Sequence, residues 1–112
     1  MSEISCDVIV IGAGPAGEVA AGRLADDGLK VVVVENHLVA GECSYYACMP
    51  SKALLRPGDL IDEARRIAGV KEAVTGDIDV ASALARRDEV IHDLDDSVQL
   101  PWLEDKGIRL VR

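Results

Sequence analysis

An apolar run, Cys6-Asp-Val-Ile-Val-Ile11, leads without interruption into Gly12-Ala13-Gly14-Pro15-Ala16-Gly17. Few folds accept this pattern. The first glycine allows a tight turn, the second lets backbone approach a pyrophosphate, and the third lets a helix pack closely on the strand before it. The near-continuous apolar run predicts a strand buried on both faces. A helix is expected from Pro15 to about Asp27, because proline is tolerated where the first turn needs no N–H. Gly28 is placed to end it. Leu29–Val34 reads as a second buried strand, which delivers Glu35. Free N–H groups and the dipole at the helix start favour a phosphate. An acid about twenty residues beyond the glycines suits a pair of ribose hydroxyls. That acid also disfavours a 2′-phosphate in this crevice, and so NADP there. The competing reading is a β-α-β unit whose glycines serve packing only. The ordered set of strand, glycines, helix, strand and acid favours the nucleotide.

A few residues downstream lies Gly41-Glu42-Cys43-Ser44-Tyr45-Tyr46-Ala47-Cys48-Met49-Pro50-Ser51-Lys52. On a regular helix, residues five apart diverge by roughly 140°. A disulfide needs Cα atoms within about 7 Å. Cys43 and Cys48 can therefore bridge only across a bent or distorted backbone. Pro50 fits the first turn of a helix continuing through Ser51–Leu55, which sets one sulfur near a helix N-terminus, where thiolate is favoured. A redox pair, a metal pair and inert packing are the readings open to these thiols. Zinc sites favour shorter spacing and need two further ligands. The nearby candidates, Cys6 and His37, lie at opposite ends of the strand-helix-strand unit. Cys6 is expected in the core, and His37 and His92 in surface loops. Tyr45 and Tyr46 are divided between shielding a cofactor edge and plain packing.

Together, Gly12/Gly14/Gly17, Glu35 and Gly41-x-Cys43-x₄-Cys48-x-Pro50-Ser51-Lys52 resemble the class I pyridine nucleotide-disulfide oxidoreductases, the family of glutathione reductase, dihydrolipoamide dehydrogenase and mercuric reductase. The resemblance is close over residues 5–56. It implies a Rossmann-like α/β FAD/NAD(P)-binding domain with a parallel sheet, incomplete at its C-terminal end. Carried over, Gly12, Gly14, Pro15, Ala16 and Gly17 line the pyrophosphate of FAD, and Glu35, with Asn36 beside it, holds the adenosine ribose. Gly41 and Glu42 approach the phosphates. Cys43 is the interchange thiol that meets substrate, Cys48 is the thiolate against the flavin, and Lys52 sits by the reactive flavin nitrogen. Ala40-Gly41-Glu42 stands where the family commonly has Gly-Gly-Thr, so a carboxylate replaces a hydroxyl near the phosphates. Ala47 replaces a glycine, and two tyrosines replace smaller residues between the thiols.

Beyond Arg56 the signals are weaker. Leu60–Ile67 has helical spacing, 69–79 reads as a loop, and Val80 to about Leu100 as one amphipathic helix that Pro101 ends or kinks. Asp93, Asp95 and Asp96 read as a solvated helix face, and Arg86-Arg87 as surface. Lys106-Gly107 predicts a turn, and Ile108–Val111 the opening of another strand.

The 112 residues allow one domain with a modest core. Its expected organisation is a nucleotide-binding half at 5–36, a dithiol segment at 41–56, and a helical region at 57–112 leading into a strand. A net charge of −8 argues against nucleic acid and anionic membrane as partners. Neither a signal-type N-terminus nor a spanning apolar run is read, so three cysteines suit a cytoplasmic protein whose disulfide is catalytic.

What the resemblance implies is an FAD-dependent, NAD(P)H-linked disulfide oxidoreductase, homodimeric when complete and acting on a small-molecule or protein disulfide. Members of the family are several times longer. They carry a second Gly-rich fingerprint and a C-terminal interface domain with a His-Glu pair, so this chain is expected to be the FAD- and dithiol-bearing N-terminal part. The alternatives are a non-catalytic dinucleotide-binding fragment, or another two-dinucleotide flavoprotein that does not use the thiols.

Overall fold

The computed structural model describes residues 3–112; Met1 and Ser2, part of the stretch read as lacking a targeting signal, lie outside it. Three parallel strands form one sheet in the order β1 (Val8–Ile11), β2 (Val31–Val34), β3 (Arg109–Val111). Val8 pairs with Val31 at one end of the first ladder, and Val34 with Val111 at the end of the second. The α/β parallel-sheet reading therefore holds, and Ile108–Val111 does open the further strand.

One expectation about the strands fails. β1 is not buried on both faces: Ile9 is 59% and Ile11 86% exposed. It pairs on one side only, and Val10 alone of the pair Val10/Ile11 packs on the core. β2, flanked on both sides, carries the doubly buried run, with Val31, Val32 and Val33 all under 6% exposed.

α1 (Pro15–Asp26) follows the glycine turn and covers the sheet. It ends as the sequence predicts. Gly28 N–H donates to Ala25 O at 2.9 Å and Leu29 N–H to Leu24 O at 3.1 Å, the paired bonds of a glycine-terminated helix. The core lies between α1, the sheet and α4 (Leu100–Asp105), around Ala13, Ala21, Val31, Val33, Val39, Leu103 and Ile108.

The helical region departs further from expectation. The stretches 51–55 and 60–66 belong to one helix, α2 (Cys48–Arg66), which runs through Pro57 and leaves Ile67 as its extended cap. Proline cannot donate to the carbonyl four residues back, here that of Ala53. Arg86 Nη1 supplies the missing donor at 3.1 Å. Arg86, exposed as expected, thus also makes a contact between the two helices.

The expected helix from Val80 to Leu100 divides into α3 (Val80–Val90) and α4. Between them His92, Asp93 and Leu94 have φ of 51°, 51° and 65°. Left-handed backbone costs L-residues roughly 1–2 kcal/mol each, so neighbouring contacts must hold this turn. Tyr45 Oη donates to Asp95 O at 3.2 Å, and Asp96 accepts from Val39 N–H at 2.7 Å. Pro101 does not stop a helix; it occupies the first turn of α4, where it is tolerated.

Of the three aspartates, Asp93 and Asp95 are exposed as expected, and Asp96 departs from that reading. Asp96 is 9% exposed and takes both Nη1 and Nη2 of Arg112, at 2.7 and 2.9 Å. The expected 69–79 loop contains a short 3₁₀ turn at Lys71–Ala73. α2 and α3 pack together, and the molecule measures 65 × 27 × 19 Å. Among the described residues no helix is long and apolar enough to cross a membrane.

Candidate dithiol and dinucleotide site

The glycine turn is built as its spacing requires. A Cβ on Gly17 would lie 1.9 Å from Gly12 O, so only glycine lets α1 sit this close to the end of β1. Gly14, with φ −75° and ψ −178°, precedes the helix, and a Cβ there would meet nothing within 4 Å. That open volume lies over the free N–H end of α1, where an anion is favoured.

Glu35 leaves β2 and turns its carboxylate back to this loop. Oε2 accepts from Ala13 N–H and Oε1 from His37 N–H, both at 2.7 Å. The Ala13 bond holds its pKa below the ordinary carboxylate value; burial opposes this and the His37 and Asn36 N–H groups assist. A cleft of about 270 Å³ is lined by Gly14, Glu35, Asn36, His37, Leu38, Gly41, Glu42 and Tyr46. It gathers five of the expected cofactor residues: Gly14, Glu35, Asn36, Gly41 and Glu42. Pro15 and Ala16 begin α1 at its rim, while Gly12 and Gly17 shape the turn beneath.

The cysteine segment is pinned against this turn. Ala40 N–H donates to Ala13 O at 2.7 Å, and a Cβ on Gly41 (φ 45°) would lie 3.4 Å from Gly14 Cα. From there Glu42–Tyr46 forms a π-helical turn, closed by Ala47 N–H to Glu42 O at 2.6 Å. Ala47 breaks the helix with φ −126° and ψ −79°, and α2 starts at Cys48. This is the distortion that a pair five residues apart requires.

Both cysteines are free thiols, Cys43 half-buried and Cys48 exposed. The neighbouring Cys48 thiol raises the Cys43 pKa above the ordinary thiol value. Desolvation and the charges of Cys48 and Glu18 push the same way, while Lys52 pulls it down. Cys48 takes the first position of α2. Lys52 follows four residues later, on the same helix face.

Several site residues escaped sequence reading. Tyr45 proves to be packing: it is 2% exposed, against Ala40 and Ile91. Tyr46 is 42% exposed, lines the cleft, and shares a hydrogen bond with His37 Nδ1. Nothing in the order of residues pairs positions 37 and 46. Glu18 projects from the first turn of α1 into the field of Cys43 and Tyr45, and burial raises its own pKa. Its helical position alone carried no such signal. Cys6, read as core, is half-buried just before β1. Among the described residues no group of three or more His, Cys, Asp or Glu side chains is placed to hold a metal.

The family profile described as "Pyridine nucleotide-disulphide oxidoreductase" matches residues 6–101, from the entry to β1 through the start of α4. The chain belongs to this family. It is 38% identical over 93 residues to the dihydrolipoyl dehydrogenase of Halobacterium salinarum, covering 83% of this chain and 20% of the relative. It is 27% identical over 114 residues to the mercuric reductase of Lysinibacillus sphaericus, covering all of this chain and 21% of that one. Among solved structures, the HOCl-induced flavoprotein disulfide reductase RclA from Escherichia coli superposes with a TM-score of 0.66 at 25% identity, over 92% of this chain and 20% of that one. The chain thus spans about a fifth of the length of these relatives.

Proposed function

We propose that this chain is the FAD-binding and dithiol-bearing part of a flavin-dependent, NAD(P)H-linked disulfide oxidoreductase. The observation that carries the reading is the neighbouring thiol pair at a π-helical turn, Cys43 within it and Cys48 just beyond, pinned directly to a dinucleotide-type glycine turn. Residues 5–36 serve as the nucleotide half, 41–56 as the dithiol segment, and 57–112 as its helical support. The matched relatives support the chemistry, since their names include a disulfide reductase and a dihydrolipoyl dehydrogenase.

The residues present fit the cofactor. Open space above Gly14 accepts a pyrophosphate beside the α1 N-terminus, and the Glu35 carboxylate keeps lone pairs free for ribose hydroxyls. Glu42 adds a second carboxylate to the cleft, so the phosphates depend on the helix end and backbone N–H groups for compensation. When bound, FAD supplies the flavin that carries electrons from a nicotinamide to the dithiol.

The chain's own residues then perform the exchange. Cys43, as thiolate, attacks one sulfur of a substrate disulfide. A mixed disulfide forms at Cys43 and the first substrate thiol leaves with the proton that Cys43 gave up. Cys48 attacks the Cys43 sulfur, the Cys43–Cys48 disulfide forms, and the second substrate thiol leaves with the proton from Cys48. The dithiol has lost two electrons and the substrate has gained them. Lys52 holds positive charge close to this pair throughout. The substrate is a small-molecule or protein disulfide, and a homodimer with NAD(P)H as donor is the form in which the complete enzyme would work.

Single serine variants test the roles. With a small aromatic disulfide as substrate, Cys48→Ser should trap a mixed disulfide at Cys43, seen as one adduct by mass spectrometry. Cys43→Ser should trap far less. Equal trapping by both, or preferential trapping in Cys43→Ser, would overturn the assignment.

A further inference from the structure

The turn between the two cysteines is tied down on both sides. Tyr45 is anchored in the scaffold, its hydroxyl on Asp95 O. Tyr46, the last residue of the turn, reaches the other way and shares a hydrogen bond with His37 Nδ1 at 2.5 Å, ring centroids 5.5 Å apart. His37 is itself held by its backbone N–H on Glu35 Oε1, while Oε2 of the same carboxylate holds Ala13 of the glycine turn. The result is a continuous hydrogen-bonded chain from the glycine turn through Glu35 and His37 to the segment that spaces the two sulfurs.

Two events act on this chain from opposite ends. Ribose hydroxyls entering the cleft donate to the Glu35 carboxylate and so weaken its hold on the His37 N–H. Closing the Cys43–Cys48 disulfide fixes the two sulfurs about 2 Å apart and so acts on the turn between them, which carries Tyr46. We propose that Tyr46 is a positioning residue that couples nucleotide occupancy of the cleft to the redox state of the dithiol, through its bond to His37. The inference rests on the reading of the cleft as a dinucleotide site.

Coupling of this kind is reciprocal: if nucleotide biases the dithiol, the dithiol must change nucleotide affinity by the same factor. Tyr46→Phe removes the hydroxyl and keeps the ring. Tyr46 is 42% exposed, so the variant should fold. His37→Ala cuts the same link from the other side, at an exposed position.

The probe is ADP, which carries the ribose and pyrophosphate. Its affinity for the 112-residue chain is measured by calorimetry in the dithiol form and in the disulfide form. The latter is prepared with a cyclic disulfide reagent that takes up the two electrons and two protons. Wild type should bind ADP with affinities differing by about fivefold or more between the two forms, the low end of usual coupling. In Tyr46→Phe and His37→Ala the ratio should fall to within about twofold of one. An unchanged ratio in the variants, a wild-type ratio of one, or affinity lost equally from both redox forms would overturn the coupling and leave the cleft reading intact. No ADP binding in either form of wild type would overturn the cleft reading and the coupling together.

Discussion

Gly14 and Gly17 stand three residues apart and do opposite work. Gly17 is required by the fold, because a Cβ would press into Gly12 O. Gly14 lies in open space with ordinary backbone angles, so the fold itself does not require its missing side chain. Gly17→Ala should therefore lose about 1–3 kcal/mol or more, as overpacked sites do. Gly14→Ala should change stability by no more than about 0.5 kcal/mol, as isolated surface changes do, yet lose most of its affinity for ADP. Urea melts and ADP titration separate the two. A Gly14→Ala protein with wild-type affinity would contradict the assignment of that space to phosphate.

Acid sensitivity is also set residue by residue. Glu35 is held below its unfolded pKa by the Ala13 N–H, and Asp96 by Arg112. Their stabilisation is present above the unfolded values, about 4.3 and 3.9, and is lost as pH falls through the lower folded values. Glu18 has the reverse sign: burial raises it, so its contribution is full below the unfolded value and is lost as pH rises through the raised one. The chain should lose stability on acidification below about pH 4. Glu35→Gln should flatten that limb, measured as urea midpoint against pH. An acid limb identical to wild type would show that Glu35 is not held as described.

At the level of elements, α2 depends on a residue from another helix. Pro57 leaves Ala53 O without its helical donor, and Arg86 from α3 fills the vacancy. Arg86→Ala should cost about 1–3 kcal/mol by orphaning a part-buried carbonyl. In a Pro57→Ala background, residue 57 regains its N–H and the cost should shrink. The double-mutant cycle measures this coupling, and strict additivity would contradict the rescue.

The same elements show what was legible in the sequence. Local rules read correctly the Gly28 helix end, the backbone distortion between Cys43 and Cys48, and the Lys106-Gly107 turn before β3. Each depends on neighbours within a few residues. The break at 92–94 was not legible, because Val80–Leu100 has a helical apolar pattern throughout. The left-handed turn is held instead by Tyr45 and by the contacts of Asp96 with Val39 and Arg112, residues distant in the chain. Pro101 was misread because proline ends one helix and begins another equally well. The Tyr46–His37 pair was hidden for the same reason as Arg86: only the tertiary fold brings the partners together.

Across the whole molecule, the sheet and α1 form one part and the packed pair α2 and α3 another, with a long axis of 65 Å. The dithiol turn sits where these parts join, close to the glycine turn on one side and at the start of α2 on the other. Asp96, Arg112 and Val39 tie the loop after β2 to the end of β3.

The most direct test of the central claim is the visible absorption spectrum of the chain after incubation with FAD, recorded before and after anaerobic reduction with a dithiol, alongside Cys48→Ser. Retained flavin that gains a long-wavelength band on reduction in wild type, and gains none in Cys48→Ser, is the predicted result. A folded chain that holds no flavin, or one whose reduced spectrum matches that of Cys48→Ser, would contradict it.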